Sequence, residues 1–154
     1  MSNNSSTEIK KPFIINGDLS ADDRGELMFI NQFNMELVKR FYVVSNHKQG
    51  FIRAWHTHKF ESKYVFIVNG TALISTVQID DWDKPSSDLI VEKFVLTAKK
   101  PSILYIPSGY ANGFKTLSTD TKIIFFSTSA LKDSIDDDYR FDAYKWNPWE
   151  IIER

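Results

Sequence analysis

The sequence predicts an all-β domain, a sandwich or barrel with little helix, and three observations carry that expectation. Short runs rich in Val, Ile and aromatic residues recur along the chain, and Gly, Pro, Asn, Asp and Ser punctuate them. Twelve Phe, six Tyr and four Trp in 154 residues supply bulk for packing between sheets. The length suits one domain with a proper core, expected over residues 12–154 behind a polar, disordered tail over residues 1–11. A net charge of −1 gives no basic field for nucleic acid or an anionic membrane. There is no cysteine, which excludes disulfides, thiol nucleophiles and cysteine-based metal sites. No apolar run approaches the roughly 20 residues of a membrane span. The start, MSNNSSTEIKK, has no signal-peptide core, so a cytoplasmic protein is expected.

Pro12 to Leu19 reads as a strand bent at Asn16-Gly17-Asp18. Asp22-Asp23-Arg24-Gly25 is a turn before the strand Leu27–Ile30. Val38 to Ser45 is strongly β-prone and ends at the polar turn Asn46–Gly50. Next comes GFIRAWHTHKFESKYVFIVNG, Gly50 to Gly70, with two of the three histidines and a buried strand at its end. Period 2 puts Arg53, Trp55 and Thr57 on one strand face and Ala54, His56 and His58 on the other. Two imidazoles on one face, with Arg53 and Lys63 close in sequence, suit an anion-and-base site. A polar strand edge without chemistry and a metal pair are the other readings of these histidines.

Thr71 to Ile79 is expected to pair as a hairpin across Asn69-Gly70. Asp80–Asp88 is a surface loop, Leu89–Leu96 a strand with Glu92 and Lys93 outward, and Lys99-Lys100-Pro101 a turn. Ser102–Ile106 leads into YIPSGYANGF, and Lys122–Thr128 is a buried strand. The acidic run Asp136-Asp137-Asp138 reads as a solvated turn. The core is expected from Val65, Ile67, Leu73, Ile103, Tyr105, Ile124 and Phe126.

Gly50 to His58 resembles the first motif of the cupin superfamily, a cupin-type jelly-roll barrel. Within it, Gly50-Phe51-Ile52-Arg53-x-x-His56 resembles the dTDP-4-dehydrorhamnose 3,5-epimerase family, while His58-Lys59 is closer to the dTDP-sugar 3,4-ketoisomerases. Asp22-x-Arg24-Gly25 and Ile106-Pro107-x-Gly109-x-x-Asn112-Gly113-Phe114 are similar to further epimerase segments, with Asn112 at the family's histidine. The resemblance implies a homodimer acting on a nucleotide-diphosphate sugar, most simply a dTDP-linked 4-keto-6-deoxy hexose. His56 would be the base, Lys63 the enolate stabiliser and His58 a second proton-handling group. Arg24 and Arg53 would hold the diphosphate, and Tyr42, Tyr110 and Asn112 would contact substrate. Phe125 stands where the family has its acidic Tyr, and the family's later L-S-x-K-D segment has no expected counterpart. Ser62 and Asn112 replace two usual cupin ligands, so no metal and no cofactor are expected. A binding cupin without catalysis is the alternative, and a metal-dependent cupin the third reading.

Overall fold

The computed structural model describes residues 11–154, so all but Lys11 of the expected polar tail lies outside the described residues. The chain opens with β1 (Phe13–Asn16) and a hairpin of β2 (Asp18–Asp22) and β3 (Gly25–Phe29). β4 (Arg40–Ser45) and β5 (Ile52–Thr57) follow, then β6 (Lys63–Asn69) and β7 (Thr71–Gln78). β8 (Val91–Thr97), β9 (Ser102–Ile106), β10 (Tyr110–Thr116) and β11 (Lys122–Ser127) complete the long strands. A short helix α1 (Leu131–Ile135) and a two-residue strand β12 (Tyr139–Arg140) come last. Among the described residues no helix is long and apolar enough to cross a membrane.

Two five-stranded sheets, β1-β9-β6-β11-β4 and β12-β5-β10-β7-β8, pack face to face, and every strand pairing is antiparallel. This is the β-sandwich of a cupin-type jelly roll. Val65, Ile67, Leu104, Ile123 and Phe125 from the first sheet meet Ile74, Leu96 and Phe114 from the second. The expected hairpin across Asn69-Gly70 does not form. β6 pairs with β9 and β11, β7 with β10 and β8, and the turn carries the chain from one sheet to the other. Gly70 makes that corner possible: its φ is +81°, and a Cβ there would sit 2.5 Å from Thr121 Oγ1.

Val65, Ile67, Leu73 and Ile103 are buried as expected, whereas Tyr105, Ile124 and Phe126 are only partly buried. The phase of β11 is the reason. Ile123 and Phe125 point inward, so Phe126 faces outward, where Phe33 covers it with ring centroids 5.3 Å apart.

A second apolar cluster lies on the outer face of the β5 sheet. Trp55 and Trp149 pack there with ring centroids 5.2 Å apart, alongside Leu73, Val77 and Ala111. Trp55 Nε1 donates to the Lys145 carbonyl at 2.8 Å, and Trp149 Nε1 to that of Ala143 at 2.7 Å, so neither buried indole is left unpaired. The cluster fastens the C-terminal segment to the back of β5. Trp149→Ala should lower stability by about 3–5 kcal/mol, the usual range for emptying a buried indole site, and urea unfolding measures it.

Candidate active site

β5 and β10 do not run in simple register. Asn112 pairs with His56 and Phe114 with Arg53, so two steps on β10 span three on β5. The extra residue is a bulge. Ala54 and Trp55 consequently both turn to the outer cluster, while Arg53 and His56 both line the space between the sheets. Strict alternation put Arg53 and His56 on opposite faces; the bulge brings them together. Gly113 lets the strands meet there, since a Cβ on it would lie 2.4 Å from that of Ala54.

A cavity of about 420 Å³ opens between the sheets at this point. Besides Arg53 and His56 of β5, the inward faces of four more strands reach it: Arg40, Tyr42 and Val44 from β4, Lys63 from β6, Asn112 and Phe114 from β10, and Phe125 from β11. Leu131, Ser134 and Ile135 of α1 roof it, and Asp138 and Arg140 complete the rim. Six of the eight site residues expected from sequence therefore share one cavity: Tyr42, Arg53, His56, His58, Lys63 and Asn112. Arg24 and Tyr110 are not among its lining residues. Arg24 sits at the exposed tip of the β2–β3 hairpin, paired with Asp22 at 2.5 Å. Tyr110 is buried in the core between the sheets, and that burial raises its pKa.

Burial, reinforced by the charges of Lys63 and Arg140, lowers the His56 pKa to about 4, with Asp138 pulling the other way. His56 is thus a neutral imidazole at neutral pH, able to accept a proton. Its backbone carbonyl accepts a hydrogen bond from the Asn112 side chain at 3.1 Å. Lys63 is buried, with Nζ 5.8 Å from the ring centroids of both Tyr42 and Phe125. Tyr42 lies stacked on Phe125 at 5.3 Å and 10°, as its direct partner across β4 and β11. A phenol therefore stands beside the ring that replaces the expected one.

Below these groups is a polar network that sequence reading missed. Glu61 is fully buried and meets Arg40 at 3.0 Å, Ser134 at 3.3 Å, and Ser127 through a short hydrogen bond. His58 Nε2 lies 3.0 Å from Glu61 Oε2, a close contact but too poorly aligned for a full hydrogen bond. The other ring nitrogen, Nδ1, donates to the Asp137 carbonyl. Burial alone would raise the Glu61 pKa, but the close approach of His58, the hydrogen bond from Ser127 and the charge of Lys63 outweigh it and hold the group at about 2. Asp137 is buried, not solvated: its carboxylate accepts the backbone N–H groups of Lys59, Phe60 and Glu61 at 2.7, 2.9 and 3.2 Å. The only local sign of it was an acidic run just before a β-prone pair. Among the described residues no three His, Asp or Glu side chains converge as a metal site would require.

These groups give the fold a defined response to acid. Above pH 6.5 His56 is neutral in both the folded and the unfolded chain. Between about 6.5 and 4 the unfolded chain binds a proton that the folded protein refuses, so stability falls as pH falls through that window. Glu61 adds a second loss between 4.5 and about 2, where the unfolded carboxylate protonates first. Urea midpoints should therefore begin to drop below pH 6.5, and His56→Asn should flatten the upper part of that decline.

The sequence profile described as dTDP-4-dehydrorhamnose 3,5-epimerase matches residues 6–147. The spore coat polysaccharide biosynthesis protein SpsL of Bacillus subtilis is 26% identical over 133 residues, covering 84% of this chain and 83% of that one. Among solved structures, the dTDP-4-dehydrorhamnose 3,5-epimerase of Bacillus anthracis, with TDP and pyrophosphate bound, superposes with a TM-score of 0.73 at 20% identity, over 92% of this chain and 86% of its own. The sugar 3,4-ketoisomerase QdtA of Thermoanaerobacterium thermosaccharolyticum, in complex with TDP, gives 0.65 at 17% identity, over 90% and 94%. With a profile match across most of its length, the chain belongs to the dTDP-4-dehydrorhamnose 3,5-epimerase family.

Proposed function

We propose that this protein isomerises a dTDP-linked 4-keto-6-deoxy hexose by removing and returning a proton next to the ketone. The observation that carries the reading is the pairing, in one cavity, of a neutral, half-buried His56 with the buried ammonium of Lys63. A C–H bond beside a ketone ionises only when a base takes the proton and a positive group meets the charge that moves onto oxygen. His56 takes the proton, and Lys63 holds the enolate oxygen. Arg53, a planar fork at the rim, suits the diphosphate. These side chains supply acid–base chemistry without a metal.

Tyr42 is the group we assign to the return of the proton. It lines the cavity, and its hydroxyl is a donor where Phe125 offers none. His58 is held by the Asp137 carbonyl on one side and approached by Glu61 on the other, which restricts it to supporting His56 more than shuttling protons itself. One base and one phenol are equipped for a single carbon, so we favour reaction at C3 alone, as a single-centre epimerase or a 3,4-ketoisomerase.

Incubating a dTDP-linked 4-keto-6-deoxy hexose with the protein in deuterated water tests this directly. Deuterium should enter at C3 of a sugar that keeps its 4-ketone, or at C4 of a 3-keto product, and His56→Asn should slow its entry by roughly a hundredfold or more. A 3-keto product identifies the ketoisomerase, and retention of the 4-ketone identifies the epimerase. Exchange at C3 and C5 together would contradict the single-centre reading. No exchange by a protein that binds dTDP would replace the enzyme with a nucleotide-sugar-binding module. Arg53→Ala should weaken dTDP binding by about 2 kcal/mol in calorimetry, the scale of hydrogen bonds to a charged group, and Arg53→Lys should restore only part.

A further inference from the structure

β12 lies against β5 with Arg140 opposite His56 and Tyr139 opposite Thr57. Directly opposed residues share a sheet face, so the Arg140 side chain stands beside His56 on the cavity side. Asp138, two residues earlier, falls on that same face, and both Asp138 and Arg140 line the cavity. Asp138 is at the same time occupied: Arg140 Nε contacts its two oxygens at 3.1 and 3.3 Å. Arg140 is largely exposed at the rim, where an incoming anion meets it first, and its partner is a third exposed. A guanidinium so placed can trade a carboxylate for a phosphate at little cost, because an exposed ion pair is weak.

We propose that Asp138 is the positioning carboxylate of His56, and that Arg140 holds it in reserve until the anionic part of the substrate draws Arg140 away. The proposal rests on His56 being the base. It meets a difficulty of the unliganded site: so strongly depressed a base is a poor acceptor for a carbon-bound proton. The groups facing His56 are mostly cationic or neutral: Arg53 and His58 on its own segment, Lys63 on β6, Arg40 and Tyr42 on β4, and Arg140 on β12. Glu61 lies behind His58, bound to Arg40 and two serines. Asp138 is the carboxylate on the cavity side. Released from Arg140, it favours the imidazolium that forms as His56 takes the proton, and no atom need be transferred to it.

The experiment follows the His56 ring by NMR titration, with and without saturating dTDP, in the wild-type protein, Asp138→Asn and Arg140→Gln. Asp138→Asn should move the His56 midpoint further down, and Arg140→Gln should move it up, each by roughly one pH unit or less. Added dTDP should raise the midpoint in the wild-type protein, and by clearly less in Asp138→Asn. In the exchange assay, Asp138→Asn should lower kcat roughly tenfold or more while dTDP affinity holds, and Asp138→Glu should recover part of the rate. An unchanged His56 midpoint in Asp138→Asn, or an equal response to dTDP with and without the carboxylate, overturns the proposal. The titrations need no turnover. They therefore decide the coupling of Asp138 to His56 separately from the exchange assay that decides whether His56 is a base at all.

Discussion

The Asp137 carboxylate accepts three consecutive backbone N–H groups, those of Lys59, Phe60 and Glu61, and its own carbonyl receives His58 Nδ1. The arrangement works like the cap of a helix: one acid gathers a run of donors that would otherwise be stranded inside the protein. Much else depends on it. The turn between β5 and β6 takes its shape there, which sets His58 and Glu61 behind the cavity and starts β6 with Lys63 facing inward. The residues following Asp137 are laid along β5, which brings Asp138 and Arg140 to the rim. The tryptophan cluster on the opposite side of β5 then fixes what comes next.

Charge in the cavity is layered by depth. Glu61 lies behind the cavity wall and is fully committed to Arg40, His58 and two serines, which makes a buried carboxylate tolerable. Lys63 stands one layer up, against two aromatic faces. Arg53 and Arg140 occupy the rim, each tied only to groups a ligand can replace: Arg53 to Asn46 and the Ser45 carbonyl, Arg140 to Asp138. An anion entering from solvent meets replaceable partners first and fixed ones last. The apolar walls Val44, Phe114 and Phe125 strengthen the deeper of these interactions by displacing water beside them.

The strands were legible in the sequence because β-branched and aromatic runs between turn residues are local signals. So was the grouping of His56, His58 and Lys63, which lie within a few residues of one another. Three features were not. The bulge opposite Gly113 depends on two strands more than fifty positions apart, and strict alternation cannot register an extra residue. The change of sheet at Gly70 followed from which partners β6 and β7 find elsewhere, whereas a turn sequence speaks only of the residues beside it. Asp137 looked solvated because its neighbours in sequence are acids, while its partners lie 76 to 79 positions away. Arg40, Asp138 and Arg140 were hidden for the same reason: each is an ordinary surface residue until the fold supplies its surroundings.

The roof and rim of the cavity, residues 131–140, lie outside both hydrophobic clusters. α1 offers the sandwich little apolar surface; it is held by polar contacts from Arg40 and Glu61, and the segment beyond it by Asp137. Substitutions at Leu131, Ile135, Asp138 or Arg140 consequently leave the packing of the two sheets untouched. Over evolutionary time such a chain can reshape the mouth of its cavity along ten residues, while the body that must fold stays the same.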